Sequence, residues 1–455
     1  MSARRHDVVV VGAGIAGLAA AWELRDRDVL VLEAEQRVGG RIKSEPRGSY
    51  WVSVGAHMFP EPDSAVGRLV AAMGLETLRI HGSLLGLAYR GKVTVGGRAE
   101  LYPLRLRMSP RGRLSFVRAG LRVRRDAARY NELARERPGE TAAEVRLRLL
   151  SFLDDRSFAD YLGPLHPEPA AVFRATTNRL TAEPEEVSAG CMVALFAHVW
   201  STGGVVLGRN LRGGASALPQ AVAGELGERV VTGATVTEVT GADGGVRVRY
   251  RQGSEEHEAV ATCAIMTAPA HVARRVVTDL PEETARALEG VAYGPFVVGG
   301  VVTKETRPMP WDDVYSILVV GKSFNMLFNH SNVLRAPGAR REPGGTLMVY
   351  GGAGLARRLL DKTDGEIADA IVRDLYDLFP EASGVVDEVL VQRWEHAIPY
   401  ARPGRSLLQP ALERGVGNVF FAGDYVGEWT HMESAAITAV EAAAKAREQL
   451  APAPA

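Results

Sequence analysis

The sequence predicts an α/β protein of two interleaved domains, one built on a Rossmann-like parallel sheet and the other of mixed α+β character. Three observations predict it. Val8 to Val11 form an unbroken valine run that enters the glycine turn Gly12-Ala13-Gly14-Ile15-Ala16-Gly17 and then a helical segment from Gly17 to Arg25. A second strand-turn-helix pattern lies near the other end, where Asn418 to Asp424 reads NVFFAGD and Met432-Glu433-Ser434-Ala435 opens an alanine-rich helix. Between them, strand and helix patterns of different character alternate, so neither domain is one continuous stretch.

The glycine turn has a local physical reading. In such a unit the first glycine makes the turn, the second lets the backbone approach a pyrophosphate, and the third lets helix and strand pack closely. Free amides and the positive end of the helix then hold phosphates. Val29 to Leu32 reads as the next strand and delivers Glu33, followed by Ala34, at its carboxyl end, where a carboxylate accepts bonds from ribose hydroxyls. Strand, turn, helix and acid together predict a dinucleotide site at Gly12, Ala13, Gly14, Ile15, Ala16, Gly17, Glu33 and Ala34. An acid at this position repels a 2′-phosphate.

Composition sets the outer bounds. At 455 residues with 46% hydrophobic side chains, the chain has material for two or three domains. Net charge is zero, which gives no global pull toward nucleic acid. Cys191 and Cys263 are too few for a disulfide framework and have no metal-ligand spacing, so no metal is expected. The apolar run Val8 to Trp22 has fifteen residues, short of the roughly 20 that span a bilayer. No signal peptide precedes Asp7 and a reducing, cytoplasmic setting is expected.

Glu33 to Arg41 reads EAEQRVGGR, and this resembles the acid-then-GG pattern of the FAD-dependent superfamily of flavin amine oxidases, protoporphyrinogen oxidases and phytoene (carotenoid) desaturases. Ile398 to Gly404, NVFFAGDY and MESAA resemble the terminal flavin motif of the same group. The resemblance implies FAD as cofactor and a two-domain, glutathione-reductase-type fold with an interleaved α+β substrate domain. Residues 1–80, 205–285 and 395–455 would bind FAD, and 81–204 and 286–394 the substrate. It further implies that Gly39, Gly40 and Arg41 approach the diphosphate, that Gly55 and Ala56 lie under the isoalloxazine, and that the Val236 backbone frames the adenine. Gly423 and Asp424 would serve the ribityl or diphosphate, and the helix beginning at Met432 the flavin N1 and O2 region.

The implied activity is removal of hydride from a C–C or C–N bond of a fairly apolar small molecule, of desaturase, dehydrogenase or amine oxidase type. A redox-neutral flavin-dependent isomerase or mutase is the alternative. Three departures from the amine oxidase pattern weaken the amine reading: Arg275 where a lysine is usual, His431 where an aromatic ring is usual, and Ser434 for glycine. His57 and His431 are the histidines that the motifs put beside the flavin. Each is either a base or substrate-orienting group, or only a hydrogen-bonding partner of backbone or flavin. Trp394 and Tyr400 either wall the pocket or pack in the core.

Elsewhere the reading is coarser. Arg212 to Leu218 resembles a glycine-rich entry to a helix, Val230 to Val239 reads as one strand, and Asp243-Gly244-Gly245 is a hairpin signal before Val246 to Tyr250. Ala259 to Pro269, Phe296 to Thr303 and Leu347 to Tyr350 read as strands, and Asp364 to Phe379 as a helix. Glu132 to Leu180 is mostly helical, broken at Pro138, Pro164, Pro167 and Pro169. From Leu104 to Asn131 nine arginines stand against the single Asp126. Within it, Leu104 to Arg129 either makes a peripheral contact with an anionic leaflet or, the commoner case, forms a solvated face or an oligomer contact.

Overall fold

The computed structural model describes residues 5–97, 101–135, 137–202, 208–242, 244–336, 338 and 340–451. One seven-stranded sheet carries the amino-terminal motif. Strand Arg5–Val11 lies between Val29–Leu32 and Glu255–Met266, parallel to both, with Val230–Val231 beyond the former and Val419–Phe421 beyond the latter. The strands come from the beginning, middle and end of the chain.

The valine run is continuous because both of its faces are covered. Val8 and Val10 enter one apolar cluster with the first and last helices, whereas Val9 and Val11 enter a second cluster on the opposite face. All four are at most 4% exposed. Burying a valine contributes about 1.5 kcal/mol or more. Helix Ile15–Glu23 packs against helix Met432–Leu450, and both present alanines there: Ala16, Ala19 and Ala20 on one, Ala435, Ala439 and Ala443 on the other. Small side chains bring the two helix axes close.

Val230 to Val239, expected as one strand, is two. Val230–Val231 pairs with Val31 and Leu32, and Ala234–Ala242 starts an antiparallel ladder with Gly245–Gln252. Gly233, at φ +68°, makes the break, a backbone conformation that favours glycine. Of the hairpin signal, Asp243 lies outside the described residues, as does the division at 204/205.

The second seven-stranded sheet has the order 386–400, 292–303, 345–352, 326–329, 314–319, 83–89, 92–95, antiparallel except where Ser83–Tyr89 meets Val314–Val319. Strand Val386–Tyr400 runs through position 395 and pairs with Ala292–Thr303 along its length. One face packs on helix Asp364–Leu378 and the other on strand Tyr50–Ser53, which leads into Gly55. Adjacent glycines allow both approaches: a Cβ at Gly299 would lie 2.6 Å from the Ile371 side chain, and one at Gly300 would lie 2.2 Å from that of Val52.

Helices Pro110–Leu133, Ala142–Leu150, Phe158–Leu162, Pro167–Thr177 and Ala189–Thr202 form the remaining layer around Phe158, Phe173 and Met192. Pro167 and Pro169 do not break this region. His166 caps the helix that Pro167 opens, where the missing amide hydrogen is not needed. Asp126, the lone acid of the arginine-rich segment, is buried and engaged by Arg125, Arg129 and the Tyr161 hydroxyl.

Candidate functional site

The two glycine turns face each other. The Gly39 amide donates to the Ala13 carbonyl over 2.8 Å, and Gly14 forms a bridge with Gly39. Gly12, at φ +103°, makes the turn. A Cβ at Gly17 would sit 1.8 Å from the Gly12 carbonyl oxygen, so the third glycine is fixed by packing. Gly14 differs, because its φ of −71° and ψ of 179° suit any residue and a Cβ there would meet nothing within 4 Å. No side chain caps the helix that follows. Ile15 and Ala16 turn their side chains into the core and leave only backbone to the turn. This open, uncapped helix start beside Gly40 fits a diphosphate.

Glu33 is buried, accepting the Ala13 amide over 2.6 Å and the Glu35 amide over 2.8 Å. Burial pushes its pKa up, and the two amide bonds oppose that rise. Ala34 is exposed at the rim. The Ala234 amide donates to the Glu33 carbonyl, which brings the strand carrying Val236 to the same end; Val236 is buried beside a bulge in its ladder.

At the other end, Arg41 makes a two-pronged ion pair with Asp424, at 2.7 and 2.8 Å, and donates to the Ala397 carbonyl over 2.8 Å. Burial disfavours the guanidinium charge, but Asp424 outweighs it and Arg41 stays above its ordinary pKa. Asp424 thus meets Arg41 directly. Gly423 exchanges bonds with Thr438, and the carboxylate of Glu433 accepts the Ala65 and Val66 amides, tying the loop and the last helix to the front of the molecule. The buried Met432 begins that helix behind the cap His431. Gly55 and Ala56 follow the strand 50–53, and the Ala56 amide donates to the Arg41 carbonyl.

His431 and His57 are both held neutral. His431 Nδ1 accepts the Ser434 amide, so its proton resides on Nε2, and burial lowers its pKa to about 4. His57 Nδ1 donates to the Gly55 carbonyl over 3.1 Å, and burial again lowers the pKa to about 4. Its ring lies 4.7 Å from Phe328 and 4.5 Å from His330, and its Nε2 is buried without a partner. Each depressed histidine stabilises the fold fully above its unfolded value of 6.5 and loses that contribution as pH falls toward 4. We expect urea unfolding of the apoprotein to show a marked loss of stability between pH 7 and pH 5, partly flattened in His57→Leu. An unchanged pH slope in that variant would contradict the burial argument.

Several residues of the site had no role in the sequence reading. Thr267 hydrogen-bonds the Val11 and Gly12 carbonyls beneath the glycine turn. Arg405 is buried, donates to the Tyr425 carbonyl and has its pKa lowered to about 10 by burial. A Thr after a strand and a lone Arg in a loop carry no local signal. Of the expected pocket walls, the Trp394 indole donates to the Val54 carbonyl, whereas Tyr400 packs on the helical layer. Arg275 lies exposed on helix Ala270–Val276.

Comparisons with known proteins give the family and the fold. Residues 15–446 match the family model described as flavin-containing amine oxidoreductase. The chain is 25% identical to chloroplastic protoporphyrinogen oxidase 1 of Spinacia oleracea over 484 residues, covering 92% of this chain and 80% of that one. It is 25% identical to an L-amino-acid oxidase of Demansia vestigiata, covering 92% and 82%. The solved structure of cyclohexylamine oxidase from Brevibacterium oxydans superposes with a TM-score of 0.76 at 21% identity, over 98% of this chain and 100% of that one.

Proposed function

The chain belongs to the flavin-containing amine oxidoreductase family, and on that premise we propose that this FAD-dependent oxidoreductase takes hydride from a C–C or C–N bond of a fairly apolar small molecule. The observation that carries the substrate class is an apolar cavity of about 260 Å³ between the second sheet and the helical layer, walled by Leu87, Phe116, Phe173 and Phe196. Its relatives include a protoporphyrinogen oxidase, an L-amino-acid oxidase and a cyclohexylamine oxidase, a range that does not single out amines.

Bound FAD supplies the hydride acceptor. The protein's own work is to hold that group and exclude water. Glu33 accepts from ribose hydroxyls at one end, the Gly14 and Gly40 backbone receives the diphosphate, and Arg41 with Asp424 closes the groove. The positive end of the 19-residue helix Met432–Leu450 favours negative charge at the other end. His431 caps that helix with Nδ1 and keeps a proton on Nε2.

Anaerobic mixing tests the reaction class. With protoporphyrinogen, L-phenylalanine and cyclohexylamine in turn, bleaching of the flavin band at about 450 nm is expected with at least one. Product formation without bleaching would favour the redox-neutral isomerase instead.

Cytoplasmic residence accords with the two free thiols, Cys191 and Cys263. No helix among the described residues is long and apolar enough to cross a membrane. A peripheral contact is the proposed membrane mode: Leu104, Leu114, Val117 and Leu121 are exposed among the arginines of residues 104–129. The protein should float with phosphatidylserine vesicles at low salt and be released as salt rises. Failure to float at low salt would leave that helix as a solvated face.

A further inference from the structure

The apolar cavity holds one chemical anomaly. Among its lining side chains the only charged ones are Arg124 and Arg179, with no carboxylate. Arg179 is half-buried in the single turn Asn178–Leu180 that follows helix Pro167–Thr177. Its guanidinium lies near the hydroxyl of Tyr350. It pairs with no acid among the described residues, although three lie nearby in sequence. Glu183 and Glu185 are taken by Arg174, and Glu186 by Arg357.

Three other arginines drawn in from water pair with acids, whereas the buried Arg405 is met, among the described residues, only by the Gln409 and Tyr425 oxygens. Arg335 meets Glu305 and Asp312, Arg146 meets Glu413 and Glu441, and Arg41 meets Asp424. A guanidinium withdrawn from water without a counter-charge is unfavourable. A planar fork in apolar surroundings is suited to a carboxylate.

The position is also informative. The Tyr350 ring lies 5.8 Å from that of Phe328, and Phe328 lies 4.7 Å from His57. His57 follows directly on Gly55 and Ala56. Arg179 thus lies on the cavity wall near Tyr350, from which two ring contacts lead through Phe328 to His57.

We propose that Arg179, on the wall of the cavity, anchors a carboxylate on an otherwise apolar substrate whose body fills that space. This rests on the reading of the cavity as the substrate side of an FAD oxidoreductase. The carboxylate completes the ion pair that the protein leaves open. A cationic ammonium in the same space meets the Arg179 guanidinium, with the solvent-exposed Arg124 as a weaker second positive charge, and is repelled. Substrates with net positive charge are selected against, including simple alkylamines.

Calorimetric titration of the FAD-loaded protein near neutral pH with phenylbutyrate, phenylbutanol and phenylbutylamine tests this, since the three share a body and differ in charge. The carboxylate should bind about tenfold or more tightly than the alcohol, and the amine most weakly. Arg179→Gln should erase the carboxylate's advantage and leave the alcohol's affinity unchanged, and Arg179→Lys should keep part of it. Retained flavin and alcohol binding show that each variant is folded; should Arg179→Gln fail to fold, the wild-type ranking and the lysine variant decide. Equal binding of the three, preference for the amine, no binding by any, or carboxylate affinity unchanged in the variants would each overturn the proposal. Flavin content of the purified protein tests the parent reading separately.

Discussion

Gly14→Val is expected to yield a folded but colourless protein. The backbone at Gly14 has φ −71° and ψ 179°, open to any L-residue, and a side chain there would enter space with no protein atom within 4 Å. The fold does not demand glycine at this position; the diphosphate does. The apoprotein should unfold within about 0.5 kcal/mol of the wild type, the range of a harmless substitution. FAD affinity should fall about a hundredfold or more as the side chain occupies ligand space. Gly17→Ala gives the opposite pattern. Its Cβ would lie 1.8 Å from the Gly12 carbonyl oxygen, so the loss is structural, about 3 kcal/mol or more. Flavin absorbance per protein and urea unfolding of the apoproteins separate the two effects. A Gly14→Val protein that purifies yellow at full stoichiometry would refute the placement of the diphosphate.

Arg41 and Asp424 carry the second large effect. The two-pronged pair joins residues 383 positions apart, and Asp424 is only 7% exposed at its side chain. Removing one partner leaves the other charge withdrawn from water, so Arg41→Met and Asp424→Asn should each cost about 3 kcal/mol, while the double variant costs clearly less than their sum. Both single variants should lose FAD. Because the acid is buried, raising the salt concentration should weaken the coupling little. Additive losses in the urea midpoints would mean that the pair does not act as a unit.

The contrast between these sites explains how legible the sequence is. The glycine turn, Glu33 and the strand before Asp424 could be read because strand, turn and helix signals are local and each sits within a few residues of the next. The ion pair could not, because nothing in the neighbourhood of Arg41 specifies a partner in the last strand-loop-helix unit. Thr267 and Glu433 escaped for the same reason: their roles exist only once distant segments meet. Val230 to Val239 reads as one strand because valine and threonine continue on both sides of Gly233, and only the left-handed backbone there separates the two that form. Pro167 and Pro169 looked like breaks, yet the first turn of a helix tolerates proline. Arg179 stands out only against the carboxylates around it, all of which pair elsewhere.

The packing of the first helix on the last has a consequence for synthesis. A ribosome that has released the first 400 residues has made the whole glycine turn, Glu33 and the facing Gly39-Gly40 pair. It has not yet made Asp424, strand Val419–Phe421 or the alanine face of helix Met432–Leu450 that covers helix Ile15–Glu23. The nascent chain thus carries an exposed alanine and leucine surface and a half-built groove until the final segment emerges. Flavin acquisition is then expected only after helix Met432–Leu450 has been made, and a chain truncated before Met432 should be colourless although the amino-terminal glycine turn and Glu33 are present.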